Sequence, residues 1–487
     1  MAAALSASSL FAIFVPLSEA TGLTLDQLNS GTGYSYFPIG FGPLLLQPVA
    51  LAFGKRPVYV CTAFIMAGVV LWTPYATTYG QWIANRLLFG FFGSPSFAMV
   101  EVSISDVYFL HERGLPMGAY ILFLYLGATL APLLGGFIYA GMTWQAVLYF
   151  NGGFNGLVAI FCFFFLEETN FERPDSELAT IVEPQSTREA YLELQHHDVS
   201  SLDEKKDLEH DSVPSHQAQV VDPSFALRHE IETQDAETVK MTKPWLTFGK
   251  ASPYARAVLL RGCLVPLSLL ALPLIWWIGL MYGIYQIWFN NFSTTAVGLA
   301  YISPSLGILP GAIFGGWVTD WHSIRLAKKA NGIFEPEMRC QLLWLPSVTT
   351  PIGLLMMGLG PHYEAHWVVF VLGMGIVNVG GPFATMIILN YAFDCYHGMT
   401  PPSNYKAQSI NHQSAPYIIA SMVIAMSMAF GYGYAVTPWI LGLGFKNFGI
   451  TTAAVATAFN LSSIFIVKYG KWLRKRGQGY YQKMVAL

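Results

Sequence analysis

Hydrophobic residues occur along this chain in long runs that short polar segments separate. About twelve of the runs are long enough to cross a bilayer, since a transmembrane helix needs roughly 20 apolar residues. They fall near residues 2–18, 33–53, 57–75, 81–104, 115–140, 144–166, 262–288, 296–318, 340–360, 367–391, 416–438 and 448–467. The first run is short for a span. The pattern therefore predicts an all-α membrane protein with many spans.

A long polar stretch separates the sixth run from the seventh. It is rich in Glu, Asp, Ser, Gln and His, and roughly two-thirds of all the acidic residues lie between Glu167 and Glu237. Such a segment has too few apolar residues to fold alone. We predict an N-terminal six-helix half (1–170), a disordered acidic cytoplasmic linker (171–258), a C-terminal six-helix half (259–470) and a basic cytoplasmic tail (471–487). The linker is either a passive tether, which we favour, or a segment regulated by phosphorylation.

Composition and charge agree with the membrane class and orient the chain. Charged residues make up 11% of the sequence, whereas soluble domains contain about 25%. Most basic residues of the loops and the tail fall on one side, with Lys446 as the exception: Lys55, Arg56, Arg113, Arg325, Lys328, Lys329, Lys468, Lys471, Arg474, Lys475 and Arg476. An excess of Lys and Arg marks the cytoplasmic side, so we expect both termini inside the cell.

Two charged residues lie within the fourth apolar run. A charge at the centre of a bilayer costs about 2.5–3.5 kcal/mol on insertion scales, so Arg86 is a candidate for function. Its fixed charge could link substrate binding to protonation, or it could brace two helices by donating to backbone carbonyls. Glu101 follows about four helical turns later, too far for direct pairing with Arg86. It is a candidate proton carrier or a member of a structural ion pair.

Small residues recur along the fifth run. Gly127, Ala131 and Gly135 fall every fourth residue and share one helix face, which permits close helix contact. Pro132 removes a backbone hydrogen bond and bends the helix. The resulting candidate hinge and packing motif comprises Gly118, Gly127, Ala131, Pro132, Gly135 and Gly136. Plain packing without a hinge is the alternative.

A weak internal repeat supports the division into two halves. The second run ends in FGKRP, residues 53–57, and the eighth ends in GGWVTDW, residues 315–321. A basic turn follows each of them. Repeats of this kind are typical of transporters that bind substrate near the midplane between their halves.

With these features the chain resembles the major facilitator superfamily, and within it the fungal twelve-span drug:proton antiporter-like transporters. The resemblance covers nearly the whole chain except the linker. It rests on NRLLFGFFG around Arg86, the glycine–proline pattern of span five and the two basic turns. It implies the major facilitator fold, with twelve transmembrane helices in two pseudo-symmetric six-helix halves. It also implies that Arg86 faces a central cavity and takes part in proton coupling, and the span-five pattern is associated with efflux.

Three positions depart from the family pattern. Ala131 replaces the usual glycine before proline, Leu51 occupies the position of an acid, and Gln47 stands where glycine is common. In the family the acid helps to hold the inner gate, so this gate must be latched differently. The resemblance implies a cytoplasmic gate formed by Gly54, Lys55, Arg56, Gly316, Asp320 and Arg325. Asp320 could latch this gate or cap a helix.

Span seven supplies candidates for a substrate cavity. Its aromatic residues could stack on a flat or cationic substrate, although Trp and Tyr also gather at membrane interfaces. Polar residues of span ten need partners in lipid, and such groups often only join helices. The candidates for the cavity are Tyr282, Tyr285, Gln286, Phe289, Asn378 and Asn390.

These features predict a secondary transporter that exports small organic molecules such as drugs or metabolites in exchange for protons. Import of cationic nutrients such as polyamines is the alternative, and a membrane-embedded enzyme is the alternative of another class. An enzyme would need a catalytic set at membrane depth, whereas the histidines lie mostly in loops. We expect a functional monomer in the plasma membrane, or alternatively in the vacuolar membrane. We expect it to work without a cofactor, a metal or nucleic acid.

Overall fold

The computed structural model describes residues 1–108, 114–168, 255–290, 301–329, 335–396 and 415–486. Every regular element in these ranges is a helix, and no strand occurs among them. The described residues all belong to one unit of the chain, formed by Met1–Asn170 together with Phe248–Leu487. Nearly the whole predicted linker lies outside the described residues.

Fifteen α-helices are described. Those of the N-terminal region are α1 (Ala2–Ser8), α2 (Phe14–Thr21), α3 (Leu25–Phe53), α4 (Lys55–Trp72), α5 (Tyr79–Gly93), α6 (Val100–Val107), α7 (Gly114–Gly141) and α8 (Trp144–Phe165). Those of the C-terminal region are α9 (Ala255–Leu269), α10 (Pro273–Asn290), α11 (Ile302–Lys329), α12 (Glu337–Cys340), α13 (Trp344–His362), α14 (Trp367–Tyr396) and α15 (Ala415–Ala486). Gly444 has a non-helical backbone within α15, with φ 72°.

The described helices agree with the predicted all-α membrane fold. Ten are long and apolar enough to cross a membrane, and the number rises to as many as twelve if each of two bent pairs forms one span. The pair Ala2–Ala12 and Phe14–Thr21 is bent by 68°, and the pair Val258–Leu269 and Pro273–Tyr285 by 88°. Residues 2–18 and 262–288, which hydropathy joins into continuous spans, are therefore each broken.

The ends of several spans differ from the prediction for local physical reasons. The eighth span continues to Lys329 rather than ending near residue 318, and Lys328 and Lys329 occupy its last turn. Positive charge is favourable at a helix C-terminus, so the helix extends beyond the apolar run. At the end of the chain, the predicted basic tail continues α15 as far as Ala486.

Side-chain caps fix the starts of α3 and α5. Thr24 accepts a hydrogen bond from the backbone of Gln27, whose side chain accepts one from the backbone of Thr24. Thr78 and Gln81 form the same reciprocal arrangement at the start of α5. Each capping box satisfies two backbone donors that a helix start leaves free. The register of α5, and with it the position of Arg86, is anchored by this cap.

The two predicted halves meet along several helix pairs. The contacts join α3 to α15 and α7 to both α11 and α14. A shared core of buried apolar residues includes Ile121 of α7, Ile278 of α10, Met386 of α14 and Met422 of α15. The site described next lies among the helices of this contact region.

Candidate functional site

A cavity of about 710 Å³, counted with its open mouth, lies among α1, α3, α5, α7 and α15. Its wall consists mainly of aromatic, aliphatic and small side chains. The lining residues are Ala4, Ala7, Ser8, Phe11, Thr32, Ser35, Tyr36, Ile39, Arg86, Phe89, Phe97, Leu124, Tyr125, Ala128 and Met426. Of these, only Arg86 is charged. The wall thus provides an apolar chamber with one fixed cation.

Arg86 lies in this wall with only 2% of its surface exposed. Its Nε donates to Oδ1 of Asn85 at 3.1 Å, and its Nη2 donates to Oγ1 of Thr73 at 3.1 Å and to the same Asn85 oxygen. The guanidinium also lies 4.7 Å from the ring centroid of Trp82 and 5.1 Å from that of Phe89. These contacts hold the charge in one orientation, and none of the hydrogen bonds uses Nη1.

Close packing of α5 on α3 brings Arg86 to the cavity. A Cβ atom added to Gly90 would collide with the backbone oxygen of Ser35 and lie 3.1 Å from Pro38. Glycine lets the two backbones approach more closely than any other residue would allow. Gly90 therefore determines how near Arg86 lies to the residues of α3.

Glu101 is fully buried in α6, just after a π-helical turn at Pro95–Met99. Such turns are frequent at functional sites. Its Oε1 accepts from the hydroxyl of Tyr282 at 3.3 Å and lies 3.5 Å from the hydroxyl of Tyr120. The Tyr120 hydroxyl is nearer to the carbonyl oxygen of Phe97, at 2.9 Å. Since one hydroxyl has one proton, Tyr282 is the main donor to Glu101.

Glu101 also has an unsatisfied oxygen. No hydrogen bond reaches its Oε2 from the described residues. Buried polar atoms are usually hydrogen-bonded, so such an exception needs an explanation. The side chain forms no ion pair with Arg86, whose polar partners are Asn85 and Thr73. Glu101 is thus a buried carboxyl group with spare capacity for a proton, and it bonds to Tyr282 of the other predicted half.

Four of the predicted cavity residues have described side chains, and none of the four is among the residues that line this cavity: Tyr282, Tyr285, Asn378 and Asn390. Tyr285 is buried and donates to Oδ1 of Asn460, and Asn378 donates to the carbonyl oxygen of Met374 in its own helix. Nδ2 of Asn390 has no hydrogen-bond partner among the described residues. The side chains of Gln286 and Phe289 lie outside the described residues. These residues remain candidates for a separate substrate cavity.

The candidate packing motif on α7 contacts two different helices. Gly118 faces α11, where an added Cβ would lie 3.2 Å from the carbonyl oxygen of Ala312. Gly127 faces Met1, and Gly135 faces Ala12 and Ser9. Ala131 and Pro132 are buried in the same helix, and Gly136 is half-buried. One end of α7 therefore packs across the two predicted halves, and its middle packs on the first span.

Asp320 of α11 lies directly against the start of α7. A Cβ atom on Gly114, the first residue of α7, would collide with the Asp320 carboxylate. Arg339 pairs with Asp320 at 3.1 Å and with Asp394 at 2.7 Å. Of the other gate candidates in this half, Gly316 contacts Gly114 and Arg325 stacks on a neighbouring tryptophan.

The basic turn of the first half is held by an acid from the end of α8. Glu168 accepts from the backbone N–H groups of Lys55 at 2.9 Å and of Arg56 at 3.2 Å. These groups belong to the first turn of α4, which follows Gly54 with its φ of 100°. The Arg56 side chain donates to the carbonyl oxygen of Phe163. Glu168, an acid near the linker, thus caps the turn, whereas Leu51 occupies the position of the family's acid and offers no carboxylate.

Several residues of the site carry little signal in the sequence. Asn85 and Thr73 hold Arg86, yet each is an ordinary polar residue in or beside an apolar run. Tyr36 lines the cavity from the middle of α3. Gln47 is 2% exposed, and neither polar atom of its side chain has a hydrogen-bond partner among the described residues. Its place inside an apolar run, at a position where glycine is common in the family, was the available indication.

The described helices define the class of protein: a helical membrane protein with many spans. The profile of the Major Facilitator Superfamily matches residues 1–399. The chain therefore belongs to the Major Facilitator Superfamily. Its members with this architecture move small molecules across membranes, and the sequence-based resemblance to this family is confirmed.

Curated relatives span nearly the whole chain. An uncharacterized MFS-type transporter of Schizosaccharomyces pombe is 26% identical, covering 94% of this chain and 80% of the relative. Protein HOL1 of Saccharomyces cerevisiae is 24% identical over 97% of this chain and 84% of its own length. A probable efflux pump, mfs2, of Aspergillus flavus is 24% identical over 96% of this chain and 98% of its own.

A solved structure shares the fold. The proton:xylose symporter XylE covers 96% of this chain and 93% of its own, with a TM-score of 0.53 and 11% identity. At this identity the similarity concerns the fold alone. It agrees with the predicted all-α fold of the major facilitator type.

Proposed function

We propose that this transporter exports small organic molecules in exchange for protons by alternating access. The carrying observation is Glu101, a fully buried carboxyl group that accepts a hydrogen bond from Tyr282 of the other predicted half. The cavity beside Arg86 is the proposed substrate site. The halves, residues 1–170 and 259–470, rock around this site and expose it to one side of the membrane at a time.

Proton exchange at Glu101 would change a contact between the halves. An ionised carboxylate accepts hydrogen bonds about twice as strong as those of a neutral group. Loss of the proton therefore strengthens the bond from Tyr282 and favours the arrangement in which α6 and α10 meet. Gain of the proton weakens this bond and eases the separation of the two helices. Proton binding is in this way linked to the conformational equilibrium.

Export rather than import is supported by two observations. The glycine and proline pattern of α7 resembles that of exporters, and a relative that spans the chain is named a probable efflux pump. We place the protein in the plasma membrane as a monomer with cytoplasmic termini, and the vacuolar membrane is the alternative. Import of polyamines is less consistent with the cavity, whose described lining contains no carboxylate to bind ammonium groups.

Proton exchange in vesicles tests this function. The purified protein is reconstituted with the pH-sensitive dye pyranine inside, and a panel of drugs, polyamines and fungal metabolites is added in turn. The variants are Glu101→Gln and Arg86→Ala, with Glu335→Gln as the matched control. Glu335 forms an exposed ion pair with Lys471 and lies away from the cavity.

Each outcome has a definite meaning. We expect substrate addition to drive proton movement in the opposite direction in the wild type and in Glu335→Gln. Glu101→Gln keeps an oxygen that can accept from Tyr282 but cannot carry a proton, so it should lose proton movement while still binding substrate. Substrate flux without a proton signal in the wild type would refute proton coupling. Full proton movement in Glu101→Gln would refute the assigned proton carrier.

A further inference from the structure

Three hydroxyl groups of the Arg86 cavity are already engaged. Thr32 donates to the carbonyl oxygen of Leu28 at 3.1 Å, and Ser35 donates to that of Thr32 at 2.7 Å. The hydroxyl of Tyr125 is hydrogen-bonded to that of Thr385 at 2.9 Å. These hydroxyls have committed their protons or share one with a neighbour. They add little capacity to donate to a ligand.

Three groups in the described wall remain for a ligand: the Nη1 group of Arg86, the hydroxyl of Tyr36 and the hydroxyl of Ser8. Arg86 binds Asn85 and Thr73 through Nε and Nη2, which leaves the two N–H bonds of Nη1. The hydroxyl of Tyr36 makes no hydrogen bond to a described residue, and its side chain is half-buried in the wall. All three residues line the same cavity. A ligand therefore meets a cationic donor and neutral donors together.

The remaining wall favours an apolar body. Phe11, Phe89 and Phe97 present aromatic surface, and Ile39 and Leu124 present aliphatic surface. Binding sites of this kind bury an apolar ligand and orient it with a few polar groups.

The charge of Arg86 discriminates between anionic or neutral ligands and cationic ligands. A guanidinium group offers only donors, and it matches the two oxygens of a carboxylate particularly well. An ammonium group also offers only donors, so it would leave Nη1 unsatisfied and would be repelled by the arginine charge. The described lining contains no Asp or Glu that could offset this repulsion.

We propose that the Arg86 cavity selects apolar ring compounds that carry an oxygen acceptor, either a carboxylate or a neutral carbonyl, and rejects organic amines. This inference rests on the proposed use of the cavity as the substrate site. The acceptor binds Nη1 of Arg86 and the hydroxyl of Tyr36, while the rings lie against the aromatic wall. Drug-like and metabolite-like acids, amides and ketones fall within this class, and polyamines fall outside it.

Binding of three matched probes tests the inference. The probes 2-naphthoic acid, 2-naphthamide and 2-naphthylmethylamine share one ring body and differ in the polar group. Their affinities are measured by isothermal titration calorimetry on the full-length protein in detergent. We expect the acid to bind at least about tenfold more tightly than the amine, which is the scale of one charge-assisted hydrogen bond. The affinity of the amide relative to the acid shows whether charge or acceptor geometry dominates.

Variants distinguish a role of Arg86 in ligand binding from a role in holding the helices together. Arg86→Gln should abolish the preference for the acid over the amine. Tyr36→Phe should weaken the binding of the acid and of the amide alike by several-fold and leave the order of their affinities unchanged. Thr73→Val removes a brace of Arg86 from a residue outside the cavity wall, so the preference should persist. Unfolding temperatures and size-exclusion profiles identify any variant that fails to fold. If Arg86→Gln fails to fold, Arg86→Met takes its place, because it also removes the charge.

The contrary results are equally specific. An amine that binds the wild type as tightly as the acid would overturn the inference, as would an acid preference that survives in Arg86→Gln. Absence of binding of all three probes to folded protein would also overturn it. Vesicle assays keep the two proposals distinct. Proton exchange driven by an amine would refute this ligand class and leave the proposed function intact.

Discussion

Replacing Asp320 by asparagine should loosen the contact between α7 and α11. The Asp320 carboxylate lies against Gly114 at the first residue of α7. The first N–H groups of a helix have no partner within the helix, and the helix start carries a partial positive charge that stabilises anions. Asparagine keeps the size of the side chain and removes the charge. The closed arrangement of the two helices should therefore lose stability.

The expected size of the effect follows from which contacts cross between the halves. Arg339 pairs with Asp320 inside the second half, at 3.1 Å, and this pair persists when the halves separate. The contact with the start of α7 is lost on opening. A charge at a helix end contributes about 0.3–1 kcal/mol when exposed and up to about 2 kcal/mol when partly buried. Because the Asp320 side chain is 20% exposed, we expect about 1 kcal/mol, or about a fivefold shift toward the open arrangement.

Distances between spin labels measure this shift. Leu115→Cys and Ile324→Cys place labels on exposed positions near the ends of α7 and α11, in a background whose five native cysteines are alanine. Double electron–electron resonance should show a larger long-distance population in Asp320→Asn than in the parent. Glu335→Gln, which removes an exposed ion pair, should leave the distribution unchanged. Identical distributions in Asp320→Asn and the parent would refute the argument that this carboxylate stabilises the helix contact.

Two further predictions concern stability and are read from thermal unfolding in detergent. Gly90→Ala should destabilise the protein by about 1–3 kcal/mol because its Cβ would collide with the backbone oxygen of Ser35. Gly80→Ala in the same helix meets open space and should be neutral or stabilising by up to about 1 kcal/mol, so equal effects at the two glycines would contradict the packing argument. Glu168→Ala should cost about 0.5–2 kcal/mol through the lost cap on α4. The exposed neighbour Glu167→Ala should cost almost nothing, and a similar loss there would refute the capping role.

Hydropathy predicted the spans because a backbone in lipid must satisfy its hydrogen bonds within a helix, which requires long apolar runs. It could not predict the breaks. Leu270 and Leu272 lie at the break before α10, yet they are as apolar as the helices on either side. The one local signal there is Pro273 at the first position of α10, where the absence of an N–H group is tolerated. Composition thus shows which segments cross a membrane and gives little information on where a span bends.

The sequence likewise indicated some residues of the candidate site and not others. Arg86 and Glu101 were identified as candidates because charge is rare in apolar runs. Their partners were not, since Tyr282 lies 181 residues from Glu101 in the chain and no local pattern links the two. The distant contact is nevertheless the feature on which the proposed role of Glu101 between the halves rests. A single sequence can identify an unusual residue, but the residues that surround it depend on the packing of helices.

The basic turn of the first half lacks the acid that the family pattern predicts, and another acid caps it. Leu51 removes the carboxylate from the turn after α3, and the basic turn is instead capped by Glu168 of the same half. Asp320 retains its place in the second half, where it meets a helix start of the first half. A cap within one half stabilises that half in every conformation, whereas a contact across the halves stabilises only the closed one. An interaction shifts a conformational equilibrium only if its free energy differs between the two conformations. We therefore expect variants of Asp320 to change gating and variants of Glu168 to change stability alone.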